Sequence, residues 1–455
     1  MLQARNNKLF KFNLRFSIQI FLLISSLFLL TNPFKLIWFD EFLQFAYGSL
    51  GNLNEFFSVA VNSAKDINHN QTGVYSLLNF ILLQNFDVNI FSLRGPSFLA
   101  GALIVLLLYY YLKSTNQFSI NLNIIYLMFM LSFYSIFQFM AEGRPYIILS
   151  ATCFGIFVYL YSLHVHLISF KKIFIASVIF GSLFHPYFFP YLVLLTSIFF
   201  IFFRSQRQPK KELFFLIGNI IISGIICIFL YVNVWGDNLV DFSDFDPFLF
   251  TGGFLYYVPM LFAGNFSPVT IGQLTSGSVT FLISSLSVIF YIAFLTLLVI
   301  LVFKNKFNSI IRLNIYLILI TFLFSIFLSI ISLYFNYWVL TRQWVGSLII
   351  IVFSLVNIMI ELFKDRHSLI LKKLTVLCIV LLFVFQNMYY IRMNLSNYNI
   401  KSQIDKSLIL KDHLSPTNID DFIELSNINL SLGGSIYPQF RNFYLPYIEK
   451  ENSSE

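Results

Sequence analysis

Ile37-Trp38-Phe39-Asp40-Glu41-Phe42-Leu43-Gln44-Phe45-Ala46-Tyr47 closes the first long apolar run of the chain, residues 16–37, and its reading decides the fold. The run is long enough to cross a bilayer and too long for a signal-peptide core. No small-residue cleavage pattern follows it, so it reads as a retained signal anchor. Two adjacent carboxylates, Asp40 and Glu41, then stand among aromatics where the chain leaves the membrane. Charge is costly there and invites a functional reading. The ordinary alternative is the start of an interfacial helix, with acids near the positive end of its dipole. On this stretch alone both readings stand.

Working outward, the same pattern repeats. The chain of 455 residues is 58% hydrophobic and only 11% charged, with a mean hydropathy of +0.78, which excludes a soluble globule. Apolar segments of membrane-spanning length recur along it, as in a polytopic helical membrane protein. The net charge of +8 comes from Lys and Arg scattered in short clusters between apolar runs. These are topology signals, and no basic stripe suited to nucleic acid is present. Cys153, Cys227 and Cys378 all fall inside apolar runs and read as small hydrophobes, without the spacing of a disulfide framework or a metal site.

The expected fold is therefore an all-α polytopic membrane protein of about eleven transmembrane helices. The spans are 16–37, 95–112, 120–140, 145–168, 172–184, 186–203, 213–234, 277–303, 313–335, 343–363 and 374–391. Residues 1–391 form the membrane domain. Within it lie two large loops, 38–94 and 235–276, and residues 392–455 form a small polar C-terminal region. In the first loop, Val74 to Phe86 reads as a juxtamembrane helix lying along the membrane surface. The second loop carries Asp237, Asp241, Asp244 and Asp246, but lacks the central Gly and terminal Glu of an EF-hand. It reads as a solvated acidic loop.

Alternating the spans from a cytoplasmic N-terminus places nearly all the Lys and Arg clusters on one side, from Arg5, Lys8, Lys11 and Arg15 to Lys372 and Lys373. Both large loops and the C-terminal region then lie outside, as the positive-inside rule requires. The unusual ionisable residues at span ends fall together on that outer side. They are Asp40 and Glu41, Arg94, Glu142 and Arg144, His185, and Arg342. Singly each has an ordinary explanation: Arg94 and Arg342 could snorkel to headgroups, Glu142 could pair with Arg144, and His185 before Pro186 could cap or pack. Together they describe an outward cavity with carboxylates at its floor and guanidinium groups around it. Arginine grips phosphate through paired hydrogen bonds, and carboxylates beside bound phosphate suit proton removal or metal coordination. Nucleotide-activated donors stay in the cytosol, so a phosphate-binding transfer site outside points to a lipid-anchored phosphate.

The chain order of these pieces resembles a known family. Phe39-Asp40-Glu41 comes first, then His69-Asn70-Gln71-Thr72-Gly73-Val74-Tyr75, then Ser92-Leu93-Arg94-Gly95-Pro96-Ser97. This looks like the bacterial relatives of protein O-mannosyltransferases, among them aminoarabinose-transferase-like glycosyltransferases of the integral-membrane GT-C fold. Glu142-Gly143-Arg144-Pro145-Tyr146 resembles that family's Glu-Ala-Arg-Pro-Tyr segment, and His185-Pro186-Tyr187 its later His-aromatic segment. The likeness covers residues 16–203, with Arg342 as a later echo. The family's His-Pro-Pro-Leu-Tyr is replaced here by the segment from His69 to Tyr75.

The resemblance implies that Asp40 is the catalytic carboxylate and Glu41 its supporting neighbour. Arg94, Arg144 and Arg342 would contact phosphate, with His69, Tyr75, Glu142 and His185 completing the substrate site. Some members bind a divalent metal at the first loop, and the cofactor requirement here stays open. The expectation is a glycosyltransferase on the outer face of the cytoplasmic membrane. It would move a sugar from a polyprenyl-phosphate donor to a lipid, glycan or protein acceptor. The alternative is a polytopic transporter or lipid flippase, for which ionisable or broken-helix signals near the midplane and two related halves would be expected.

Overall fold

Eleven α-helices and no strand make up the described residues of the computed structural model. These residues are 44, 52–54, 56–57, 73–86, 90–114, 120–133, 139–164, 170–203, 210–230, 278–304, 308–334, 344–364 and 368–396. The helices are α1 (Val74–Asn85), α2 (Ile90–Ser114), α3 (Ile120–Leu131), α4 (Tyr146–His164), α5 (Lys171–Phe184) and α6 (Phe188–Phe203). They continue with α7 (Lys210–Leu230), α8 (Ser278–Lys304), α9 (Ser309–Tyr334), α10 (Val345–Lys364) and α11 (Leu369–Ser396). Seven of them, α2, α4 and α7 to α11, are long and apolar enough to cross a membrane.

The helices are apolar all round, so each must be covered by protein or by lipid. α4 and α10 take the first solution: almost every residue of both is buried. α4 packs against α2, α5, α6 and α10, and α10 packs in turn on α9. α7, α8, α9 and α11 form the outside of the bundle and are mostly uncovered. Phe214, Phe303 and Ile370 there are 70%, 76% and 76% exposed. Large apolar side chains bared along whole helices suit hydrocarbon, not water.

Close approach to α4 depends on small residues. A Cβ at Gly155 would press on Ser177 Oγ of α5 and stand 3.3 Å from Ser177 Cβ and 3.2 Å from Ile173 Cγ2, so glycine eases the close approach of the two helices there. Small hydroxyls join other helices across the apolar interior. Tyr191 OH and Ser325 Oγ both reach Ser347 Oγ, at 2.7 and 2.9 Å, linking α6, α9 and α10. Ser182 Oγ meets Ser223 Oγ at 2.6 Å between α5 and α7.

One end of the bundle is closed by a polar network. Tyr111 OH donates to Asn357 Oδ1 (2.9 Å), Asn357 Nδ2 to Asn314 Oδ1 (3.3 Å), and Asn314 Nδ2 to Tyr161 OH (3.4 Å). Beside it Tyr159 OH donates to Glu212 at 2.9 Å. Lys171 lies 3.8 Å from the Glu212 carboxylate and 3.9 Å from the centre of the Phe215 ring. Asn308 Nδ2 donates to Glu361 at 3.1 Å, and Lys364 pairs with Glu361. The C-terminal ends of α2, α4 and α10 and the N-terminal ends of α5, α7 and α9 therefore share one end. Those are the ends that the charge map groups together.

Helix boundaries follow the expected spans with two informative differences. α2 begins at Ile90, so Arg94 lies inside the helix instead of preceding it. Pro96 is tolerated two residues later, although it cannot donate a hydrogen bond back to Ser92. The expected span 120–140 is broken: α3 ends at Leu131 and Ser132 turns, its Oγ donating to Met128 O at 2.7 Å. Helical residues return at Phe139 and Met140. The expected juxtamembrane helix is α1, which presents Tyr75, Ser76, Asn79, Phe80 and Leu83 inward and packs on α2 and α5. Span 16–37, Asp40, Glu41, His69, loop 235–276, Arg342 and residues 397–455 lie outside the described residues.

Candidate functional site

At the end opposite the tyrosine–asparagine network, residues 140–143, just before α4, lie along the first part of α2. Met140 fills the space beside Gly101, and Gly143 lies against Leu93. A Cβ at Gly143 would stand 2.8 Å from Leu93 Cγ and 3.3 Å from the Leu93 main-chain oxygen, so this approach requires glycine. Pro145 then starts α4, where a missing N–H costs nothing, and its carbonyl accepts from Leu149 N–H at 3.0 Å.

A hydroxyl chain fixes this turn. Ser97 Oγ, on α2, donates to the main-chain oxygen of Arg144 at 2.8 Å. With its only hydrogen used there, Ser97 must accept from Tyr75 OH, 2.8 Å away at the start of α1. Arg144 Nη2 donates to Tyr146 OH at 3.0 Å, and the guanidinium carbon lies 5.4 Å from the Tyr146 ring centre. Arg94, three residues before Ser97 on the same helical face, is fully buried. Glu142 and Arg144 are also buried. An arginine stays charged in a protein, so burying two at one end of an apolar bundle demands anionic compensation.

His185 completes the group. α5 ends at Phe184 because a residue before proline is pushed out of the helical region, and His185 is extended at φ −149 and ψ 124. Its N–H still donates to Gly181 O at 3.0 Å, and its Nδ1 accepts from Tyr187 N–H at 3.3 Å. Its ring lies 5.7 Å from that of Tyr146. Burial, and then the positive charge of Arg144, lower its pKa to about 3. The ring is therefore neutral near pH 7, and with Nδ1 accepting, the hydrogen sits on Nε2. His185 can donate one hydrogen bond but cannot serve as a cationic acid.

Of the residues singled out from sequence, the structure brings Tyr75, Arg94, Glu142, Arg144 and His185 to one end of the bundle. Asp40, Glu41, His69 and Arg342 lie outside the described residues. α10, which follows Arg342, starts at this same end, since Ser150 Oγ of α4 donates to Val345 O at 3.2 Å. Among the described residues no three His, Cys, Asp or Glu side chains gather as a metal site. Sequence reasoning passed over Ser97, Tyr146, Ser76, Asn79 and Gln44. Ser76 and Asn79 are fully buried polar residues three positions apart on α1, and Asn79 Nδ2 donates to Gln44 Oε1 at 3.4 Å. Helical spacing, four positions from Tyr75 to Asn79 and three from Asn79 back to Ser76, is the signal that could have found them. In comparisons with family models, curated proteins and solved structures, none matches this chain.

Proposed function

We propose that the protein is a multi-pass glycosyltransferase of the cytoplasmic membrane. It would transfer a sugar from a polyprenyl-phosphate donor to a lipid, glycan or protein acceptor at the extracytoplasmic face. The observation that carries this reading is the pair of buried guanidinium groups, Arg94 and Arg144, assembled with Glu142 and a neutral His185 at one end. Such a group suits an oxyanion on a lipid, because bidentate arginine pairs match phosphate geometry and strengthen away from water. The choice of face rests on the charge map. The choice of sugar chemistry rests on the resemblance of the motifs from Asp40 to His185.

In this scheme Asp40 takes the proton of the acceptor hydroxyl as that oxygen attacks the anomeric carbon. The bond from the anomeric carbon to the phosphate oxygen breaks, and the leaving lipid phosphate carries the developing negative charge. Arg94 and Arg144, with Arg342, stabilise that charge. A single displacement inverts the anomeric configuration. His185 donates a neutral hydrogen bond through Nε2.

A transporter or lipid flippase is the second reading. Against it, every Asp, Glu, Lys and Arg in the described helices lies within five positions of a helix end. Carriers place ionisable groups or broken helices near the midplane. The deciding experiment compares glycolipid and surface-glycan mass spectra from cells with and without the gene, followed by transfer from a synthetic polyprenyl-phosphate sugar. Loss of one glycan mass together with transfer in vitro supports the proposal. Unchanged glycans and no transfer across a panel of donors would leave the transporter reading.

A further inference from the structure

α1 carries polar groups that the arginine cluster does not use. Among the described residues Ser76 Oγ and Asn79 Oδ1 have no hydrogen-bond partner, although both residues are fully shielded from solvent. Burying a hydroxyl and an amide oxygen unpaired is costly, and Ala or Leu at these positions would remove the cost. Their presence on the buried face of α1 points to a partner that arrives. Asn79 Oδ1 needs a donor, while Ser76 Oγ can both give and accept. A hydroxyl-bearing ligand meets both demands.

The position of these groups narrows the ligand. Residues three apart on a helix face the same way, about 5–6 Å apart at Cβ, so both side chains can reach one sugar ring. Tyr75, immediately before Ser76, ends the hydroxyl chain that runs through Ser97 to Arg144. The α1 groups thus begin within one helical turn of the residue tied to the arginine turn. Among the described residues, Asn79 makes one hydrogen bond to another side chain, to Gln44 Oε1. At 3.4 Å that bond is at the long limit and easily exchanged.

We propose that Ser76 and Asn79 form the subsite for the sugar of the lipid-phosphate donor, its ring hydroxyls bonding Ser76 Oγ and Asn79 Oδ1 as the Gln44 contact gives way. This rests on the transferase reading: the phosphate lies at the arginines and the sugar, bonded directly to it, lies along α1. Ser76 and Asn79 are then specificity determinants and carry no part of the proton transfer.

The test uses the full-length protein in nanodiscs, as wild type, Ser76→Ala, Asn79→Leu and the double variant. The probes are a short-chain polyprenyl phosphate, bare and carrying one sugar from a panel of hexoses and pentoses. The wild type should prefer one sugar-bearing lipid over the bare phosphate. Each single variant should lower that preference about tenfold, the value of one lost hydrogen bond. Affinity for the bare phosphate should stay unchanged, and the thermal midpoint should stay level or rise, because an unpaired group has been removed. If Asn79→Leu fails to fold, Ser76→Ala decides alone.

Three results would overturn the subsite: no sugar preference in the wild type across the panel, a preference that survives in the variants, or equal weakening for both lipids. The second of these is what a site holding only buried water would give. Turnover is read on the same samples. A wild type that prefers a sugar-bearing lipid through Ser76 and Asn79 yet transfers nothing ends the transferase reading and keeps the subsite.

Discussion

Ser97 Oγ donates to the main-chain oxygen of Arg144 at 2.8 Å across 47 residues of sequence. Through this bond α2 holds the turn that carries Glu142 and Arg144, and through Tyr75 OH it holds α1 as well. Ser97→Ala leaves a buried carbonyl and a buried phenol each short of a partner. The expected cost is about 1–3 kcal/mol for each group left unpaired. In detergent the variant should melt several degrees lower, and Ser97→Thr, which keeps the hydroxyl, should recover most of the loss. An unchanged midpoint in Ser97→Ala would mean that the turn is held by other contacts.

Gly143 and Leu93 should behave as one unit. A side chain at 143 meets Leu93 Cγ at 2.8 Å and the main chain behind it, so Gly143→Val should destabilise by about 1–3 kcal/mol, the usual cost of overpacking. Leu93→Ala makes room, and the double variant should be less destabilised than the sum of the singles. Strict additivity in that cycle would disprove the close approach.

His185 predicts a pH dependence of stability. Its folded pKa is lowered to about 3, against about 6.5 unfolded. The unfolded chain therefore binds the extra proton first as pH falls. The stability that neutral His185 contributes is present above about pH 6.5 and is lost progressively between there and about pH 3. His185→Gln should flatten the fall of the melting midpoint between pH 6.5 and 4.5. A wild-type midpoint that is level over that window would contradict the buried neutral imidazole.

The arginines are tested by a change that keeps their charge. Arg94→Lys and Arg144→Lys retain one positive charge each but lose the planar fork. If both grip lipid phosphate, transfer should fall at least tenfold in each at normal protein levels, with weaker binding of the bare polyprenyl phosphate. Full activity in both variants would return them to a structural or topological role.

The hydropathy of the chain made the helices legible: every expected span after 16–37 overlaps a described helix, 120–140 only in its first part, and 16–37 lies outside the described residues. The break after Leu131 was hidden: apolar composition continues through Ser132 and Phe133, and a turn satisfied by a serine hydroxyl leaves no hydropathy signal. At the site the charged residues were legible, since Arg94, Glu142 and Arg144 are rare types for such a chain. The neutral ones were not. Ser97, Ser76 and Asn79 look like any polar residue that a helix tolerates, and only the tertiary contacts, or their lack, distinguish them. His185 fits its capping reading, as it ends α5, and its ring also lies beside that of Tyr146.

The final prediction concerns Asp40 and Glu41. Gln44, four residues after Asp40 in sequence, accepts a hydrogen bond from Asn79 of α1 at 3.4 Å; Asp40 and Glu41 themselves lie outside the described residues. If Asp40 is the general base, Asp40→Asn should preserve size and insertion while slowing the chemical step by roughly 10²–10⁴-fold. Glu41→Gln should be milder if Glu41 only supports its neighbour. Adjacent residues of a regular helix do not face the same way, so the proposal gives the two carboxylates different roles, Asp40 as base and Glu41 as its support. Single-turnover transfer from a synthetic polyprenyl-phosphate sugar, at matched protein amounts in nanodiscs, separates the roles. Unchanged turnover in Asp40→Asn would end its catalytic assignment. An inactive Glu41→Gln beside an active Asp40→Asn would keep the reaction and exchange the two carboxylates.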